Sequence, residues 1–250
     1  MAEEQWQRNH WKEGGDRPFV FLVIYGIIDF PATIRGREYR TRGIPDYIEA
    51  RSFERSTHAK YLRESYEEGY AWELLCNEDP ELAELIESSP GAIALAGEVA
   101  DATSLMYLRD VIGTAAALLD SGAVALYDPF TFRWWRPETW KVVFHAPDEP
   151  QPKKHVVILY SAERDGLWLH TRGLLTFGRP DLSVRGVSQA DIGTAAGMLN
   201  ELIELQAFGG RLADGETVRH PSLGSFKVQY AGDRDDPDFN NVHVELERKN

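Results

Sequence analysis

The stretch AIALAGEVADATSLMYLRDVIGTAAALLDSGAVALYD, residues 92–128, decides the fold class. Residues 92–99 are apolar except for Glu98, the composition of a short buried strand. Asp101 or Thr103 then offers a helix cap, and Leu105, Leu108, Ile112, Ala116 and Leu119 recur at helical spacing, forming one apolar face of a helix that runs to about Asp120. Gly122 is the stop signal. A second strand over 123–127 follows at once, closed by Asp128-Pro129. A helix set between two strands predicts an α+β fold, with mixed or antiparallel sheets covered by long helices.

Upstream, the apolar run 19–28, interrupted by Gly26, is too short to cross a bilayer. It reads as a strand in the middle of a sheet covered on both sides. Leu62, Tyr66, Tyr70 and Leu74 recur at four-residue spacing with Arg63, Glu64, Glu67 and Glu68 on the opposite side, so a helix is expected over 45–76, broken near Gly69. Asp79-Pro80-Glu81 caps and opens a short helix that packs Leu82, Leu85 and Ile86. Downstream, an aromatic block leads into an expected strand at 139–145, and three prolines within 146–154 mark a hinge.

Beyond the hinge, strands at 155–160 and 167–172 are joined by a turn ending in Asp165-Gly166. Further strands are expected at 173–177 and 182–187, and then Ser188 with Asp191 resembles a capping box for a helix over 189–207. Strands at 224–231 and 241–247 close the chain. The expected organisation is an N-terminal tail over 1–17 and two α+β halves, 18–150 and 151–250, packed as one compact unit. Ile112-Gly-Thr-Ala-Ala-Ala-Leu-Leu-Asp120 and Ile192-Gly-Thr-Ala-Ala-Gly-Met-Leu-Asn200 match at six of nine positions. This echo suggests an internal duplication, with the small residues letting each helix approach its neighbours closely.

Composition narrows the functions. Lys+Arg 27 against Asp+Glu 40 gives a net charge of −13, which repels phosphate backbones and anionic lipid. No nucleic-acid or membrane partner is expected. The single cysteine, Cys76, cannot form an internal disulfide, and the first ten residues lack the basic start and apolar core of a secretory signal. A cytoplasmic location is expected.

No stretch carries a complete chemical motif, so no cofactor is expected. Gly173 and Gly178 have phosphate-loop spacing, but Arg179-Pro180 stand where lysine and a hydroxyl residue are needed. The acids of 233–238 lack the glycine and glutamate of a calcium loop. His243, Glu245 and Glu247 share one strand face, which reads as a wet face, and no metal is expected. Two clusters remain. Trp168, His170 and Arg172 lie on one strand face with Arg179 and Asp181 beyond a turn, a set able to grip a small anion, or else an Arg172–Asp181 ion pair beside a stacking Trp168. Phe132, Trp134 and Trp135, with Phe130, Trp140, Arg133 and Arg136, have the composition of a protein-binding hot spot or of a closing core.

The segments GLWLHTRGLLTFGRPDL (166–182) and SGAVALYDP (121–129) resemble segments of uncharacterised bacterial proteins grouped as domains of unknown function. The resemblance implies an α+β fold and a bacterial cytoplasmic setting, and brings no activity with it. The leading expectation is a non-enzymatic binding or protein-interaction module that meets a protein partner. The alternative is a small-anion binder or enzyme using the 168–181 cluster.

Overall fold

The computed structural model describes residues 2–31, 33–41 and 43–249. The chain forms two compact units: residues up to 7, 19–99 and 104–151 make the first, and residues 8–18, 100–103 and those from 152 onward make the second. The main crossing, between 151 and 152, falls inside the proline-rich stretch read as a hinge. The expected tail over 1–17 is not a frayed end. Trp6 is 1% exposed in the first unit, its indole donating to the Asp148 carbonyl at 2.7 Å. In the second unit, Arg8 is buried, and His10 and Lys12 donate backbone hydrogen bonds to the Phe208 and Gly209 carbonyls.

The first unit begins with a short helix α1 (Ala2–Gln5), followed by β1 (Phe19–Tyr25), α2 (Gly36–Tyr39) and β2 (Glu49–Glu54). Three helices come next, α3 (Arg55–Tyr66), α4 (Tyr70–Glu78) and α5 (Pro80–Glu87), then β3 (Gly91–Glu98) and α6 (Met106–Asp120). Strands β4 (Ala125–Asp128) and β5 (Arg133–Trp135) and the turn of helix α7 (Pro137–Trp140) complete it. The sheet is antiparallel in the order β2-β3-β1-β4-β5, with β1 at its centre, as its apolar run requires. Val23 and Tyr25 meet Leu62, Tyr66, Trp72, Leu75, Leu82 and Ile86 from α3–α5 in one core.

Three local expectations fail for physical reasons. The helix over 45–76 is instead β2, α3 and α4, with the break at Gly69 (φ 79°) where expected. Strand β2 is polar because it is an edge strand with little to bury, and it sits so close to β3 that a Cβ at Gly91 would collide with the Phe53 carbonyl, as one at Gly97 would with the carbonyl of Tyr47 just before β2. Glu67, assigned to the outer face, is buried and accepts a bidentate bond from Arg55 at 3.0 and 2.8 Å. The strand at 139–145 is α7 followed by a π-helical turn over Lys141–His145. Its buried residues, Trp140 and Phe144, are four apart, while Val142 faces solvent.

The second unit holds β6 (Val157–Glu163), β7 (Gly166–Arg172), β8 (Asp181–Val187), the helix α8 (Ile192–Ala207), β9 (Thr217–His220), β10 (Gly224–Ala231) and β11 (His243–Arg248). The order is β6-β7-β8-β11-β10-β9, antiparallel except for the parallel β8/β11 pair. The segment read as a strand over 173–177 is a 3-10 turn, Leu174–Phe177, bracketed by Gly173 and Gly178 at positive φ. At Gly178 a Cβ would collide with the Asp16 carbonyl, so glycine is required there by both backbone and space.

The echo between α6 and α8 does not extend to topology. The α6 connection, β3 to β4, spans one intervening strand, whereas the α8 connection, β8 to β9, spans two. The matched glycines also differ: a Cβ at Gly113 would collide with the Tyr39 carbonyl of α2, while one at Gly193 meets nothing. A duplication is therefore not shown. Among the described residues no helix is long and apolar enough to cross a membrane.

Candidate functional site

The 168–181 cluster is distributed through the second unit rather than gathered around a cavity. Strand β7 places the Trp168 and His170 rings on one face, stacked at 4.1 Å, with Phe239 edge-on to His170 at 5.3 Å. The Trp168 indole donates to Ser183 Oγ at 2.8 Å, Ser183 donates to Glu245 at 2.6 Å, and the Arg185 guanidinium lies over the indole at 4.1 Å. Burial drives the His170 pKa down to about 4, so the ring is neutral at physiological pH and offers no positive charge to an anion.

Arg172 donates to the Asp238 carbonyl at 2.5 Å. Arg172 and Asp181 form no direct ion pair, although the Arg172 charge acts on the carboxyl. Asp181, fully buried, instead accepts from Thr171 Oγ1 at 2.8 Å, Asn241 Nδ2 at 2.8 Å and the Leu174 amide at 3.3 Å. Burial outweighs these donors and raises its pKa to about 6.

Arg179 has no free donor. Nε–H goes to the Gly210 carbonyl at 3.1 Å, Nη1 to the Gly178 carbonyl at 2.8 Å and Asp101 at 3.2 Å, and Nη2 to the Gly209 carbonyl at 3.1 Å and Asp101 at 3.4 Å. A guanidinium has five N–H groups, and all five are committed. Asp101 also pairs with Arg8 at 2.5 Å, and Arg8 donates in turn to the carbonyls of Ala102, Phe177 and Ala207. The two arginines thus tie the 3-10 turn, the end of α8 and residues 100–103 to one carboxylate. Of the five sequence candidates, Arg179 is fully engaged by its own unit, Asp181 is enclosed by protein donors, and Trp168, His170 and Arg172 pack or bond against the 237–245 segment. Arg8, Thr171 and Asn241, which complete this network, carry no local sequence signal, and Asp101, read with Thr103 as a helix cap, serves these arginines instead: α6 starts at Met106 with no side-chain cap.

The aromatic block behaves differently. Asp128 accepts from the amides of Phe130 at 2.9 Å and Thr131 at 3.4 Å, closing the turn between β4 and β5. Burial raises the Asp128 pKa to about 6. The turn leaves Phe132 at φ 57°, a left-handed conformation that costs a bulky side chain on the order of 1–2 kcal/mol, with the residue 38% exposed. Trp134 stacks on Tyr127 at 4.3 Å and meets Trp72 edge-on at 5.4 Å, and Trp135 meets Phe144 at 5.3 Å. Phe130, by contrast, is buried against Phe19 and Phe21.

A groove of about 540 Å³ runs between α4 and β5, lined by Ala71, Leu74, Leu75, Leu82, Phe132, Trp134 and Trp135. One end is fixed by Arg136, whose guanidinium grips Asp79 at 2.7 and 2.6 Å while Asp79 caps α5 through the Leu82 amide. That guanidinium holds the Asp79 carboxyl below the usual carboxylate range. The charged lining of the groove is balanced, Glu78 and Asp79 against Arg133 and Arg136; beyond it, helices α3–α5 expose Glu64, Glu68, Glu73, Glu81, Glu84 and Glu87, and no lysine or arginine stands between Arg63 and Arg109. Strand β5 ends the sheet order, so one of its edges has no strand partner among the described residues.

Fold and site together define an α+β chain of two units, with a packed polar network in one and an aromatic-lined groove in the other. No protein-family model matches the chain, and no curated protein and no solved structure matches it.

Proposed function

We propose that this chain is a cytoplasmic protein-interaction module whose groove between α4 and β5 takes a cationic, apolar segment of a partner protein. The observation that carries the reading is the exposed apolar and aromatic lining of that groove, next to helices that expose a run of glutamates. Phe132 and Leu74, at 38% and 36% exposure, are partly outside the core, beside half-buried tryptophans. Aromatic anchors of this kind supply most of the binding energy at protein interfaces. The run of exposed glutamates selects a basic partner and speeds its encounter, while like charge disfavours acidic ones. The full commitment of Arg179 and the neutral His170 give the competing anion-binding reading of the 168–181 cluster less support.

The test uses a labelled peptide alternating lysine and valine, followed by fluorescence anisotropy. Saturable binding that weakens with salt is expected, because exposed charges are screened beyond about 8 Å at physiological ionic strength. Phe132→Ala with Leu74→Ser is expected to lower affinity at least about tenfold, equivalent to ~1.4 kcal/mol. A glutamate–valine peptide should not bind. Equal affinity for the two peptides, or binding unchanged by the double substitution, refutes the proposal.

A further inference from the structure

The edges of the two sheets are not alike. In the first unit, β2 carries Glu49, Arg51 and Glu54 among its six residues, and β5 is three residues long, opening on Arg133 and followed at once by Arg136-Pro137. In the second, β9 is four residues long, with Arg219 inside it and Pro221 just beyond. Charge, proline and shortness are the devices by which a sheet edge resists pairing with another chain. Strand β6, the other edge of the second sheet, has none of them over Val157-Ile-Leu-Tyr-Ser-Ala162, six residues without charge, proline or glycine. Its one charged residue, Glu163, is already paired with Arg185 of β8.

Strand β7 covers one side of β6 along its whole length, from Val157 opposite Arg172 to Glu163 opposite Gly166. Among the described residues, no strand pairs with the other side and no loop forms a backbone hydrogen bond there. Side chains alternate along the strand, so Ile158, Tyr160 and Ala162 share the face on which β7 buries Leu169 and Thr171. Leu169 is 1% exposed, whereas Tyr160, directly opposite it, is 69% exposed. The apolar layer of this sheet therefore ends on an uncovered aromatic ring rather than on a charged margin.

A second copy of the same strand fits this edge. In antiparallel pairing about a twofold axis an edge strand is its own complement, because each donor that one copy offers meets the matching acceptor of the other. With the axis at Tyr160, the middle residue of β6, the two tyrosine rings lie side by side, Ile158 opposes Ala162 of the second copy, and Leu159 opposes its Ser161. Each copy carries a net charge of −13, so two copies repel overall, and an uncharged strip is where they approach at least cost. Seven residues a side fall well short of the roughly 20–30 of a stable interface, so the association is weak and depends on concentration.

We infer that β6 pairs antiparallel with β6 of a second copy, joining their six-stranded sheets into one across a twofold axis. This surface shares no residue with the groove between α4 and β5.

Sedimentation velocity of the full chain from about 1 μM to about 1 mM tests it. Reversible dimerisation with a Kd above about 1 μM is expected. Added salt should strengthen it by screening the repulsion between acidic copies, the opposite of its effect on the groove peptide. Tyr160→Lys sets two like charges opposite each other and should weaken the dimer at least about tenfold. Val142→Lys, the same added charge at another exposed apolar residue, should not weaken it. Both side chains are exposed, so neither replacement disturbs the core, and circular dichroism confirms the fold of each variant. Hydrogen exchange within 157–163 should slow as protein concentration rises, with 132–136 unchanged. A chain that stays monomeric throughout, a dimer that Tyr160→Lys leaves intact or Val142→Lys weakens equally, or protection that builds within 132–136 in place of 157–163 would overturn the inference.

Discussion

Replacing Arg179 by methionine separates a scaffold arginine from a ligand-binding one. Methionine keeps the length and apolar stem but removes every donor. Three carbonyls, at Gly178, Gly209 and Gly210, lose their side-chain partner, and Asp101 retains only Arg8. Arg179 is 1% exposed, so solvent does not readily replace these bonds. Removing one partner of a buried charge pair costs about 3–5 kcal/mol, and a stranded buried acceptor costs about 1–3 kcal/mol, terms that overlap rather than add. A loss of about 4 kcal/mol from the second unit is therefore expected. With a urea slope of about 2 kcal/mol per molar, the midpoint falls by about 2 M. Because two units need not unfold together, the assay is urea titration read by hydrogen exchange at amides of β7, β8 and α8. A variant within about 1 kcal/mol of wild type would refute the reasoning, since the guanidinium would then be dispensable to the fold.

Other consequences follow from the same geometry. The Asp181 pKa is raised to about 6, so its folded form holds a proton more tightly than the unfolded chain, and its contribution to stability is fully present below about 3.8 and lost as pH rises through 6. Between pH 5 and pH 8 wild type should lose about 1.4 kcal/mol more than Asp181→Asn, and parallel profiles in denaturant titrations would contradict this. His170 should titrate near pH 4 by proton NMR, whereas a midpoint above 6 would mean a solvated ring available as a cation. Gly113→Ala should destabilise the first unit by at least about 2 kcal/mol, because its new Cβ meets a backbone carbonyl that cannot rotate away. Gly197→Ala, in open space in the middle of α8, should stabilise the second by about 1 kcal/mol, and thermal denaturation distinguishes the two.

Elements with strong local signals were legible. The apolar run of β1, the periodicity of α6 and α8, the Asp79 cap of α5 and the Asp165-Gly166 turn all appear where their residues place them. What was hidden depended on partners distant in sequence. Strand β2 is polar because β3 covers only one of its edges, and Glu67 turns inward because Arg55 awaits it. The residues Lys141–His145 carry β-branched side chains yet coil, since burying Trp140 and Phe144 together needs a helical offset. Phe132, Trp134 and Trp135, read as either an interaction surface or a closing core, line the groove, but its α4 wall read as ordinary amphipathic helix. Asp101, which holds Arg179 across 78 residues of sequence, gave no local sign of doing so.

Hydrogen exchange of the protein with and without the lysine–valine peptide tests the central claim most directly. Protection is expected at amides within 71–82 and 132–136, diminished by added salt. Protection concentrated within 168–181, with 132–136 unchanged, would contradict it.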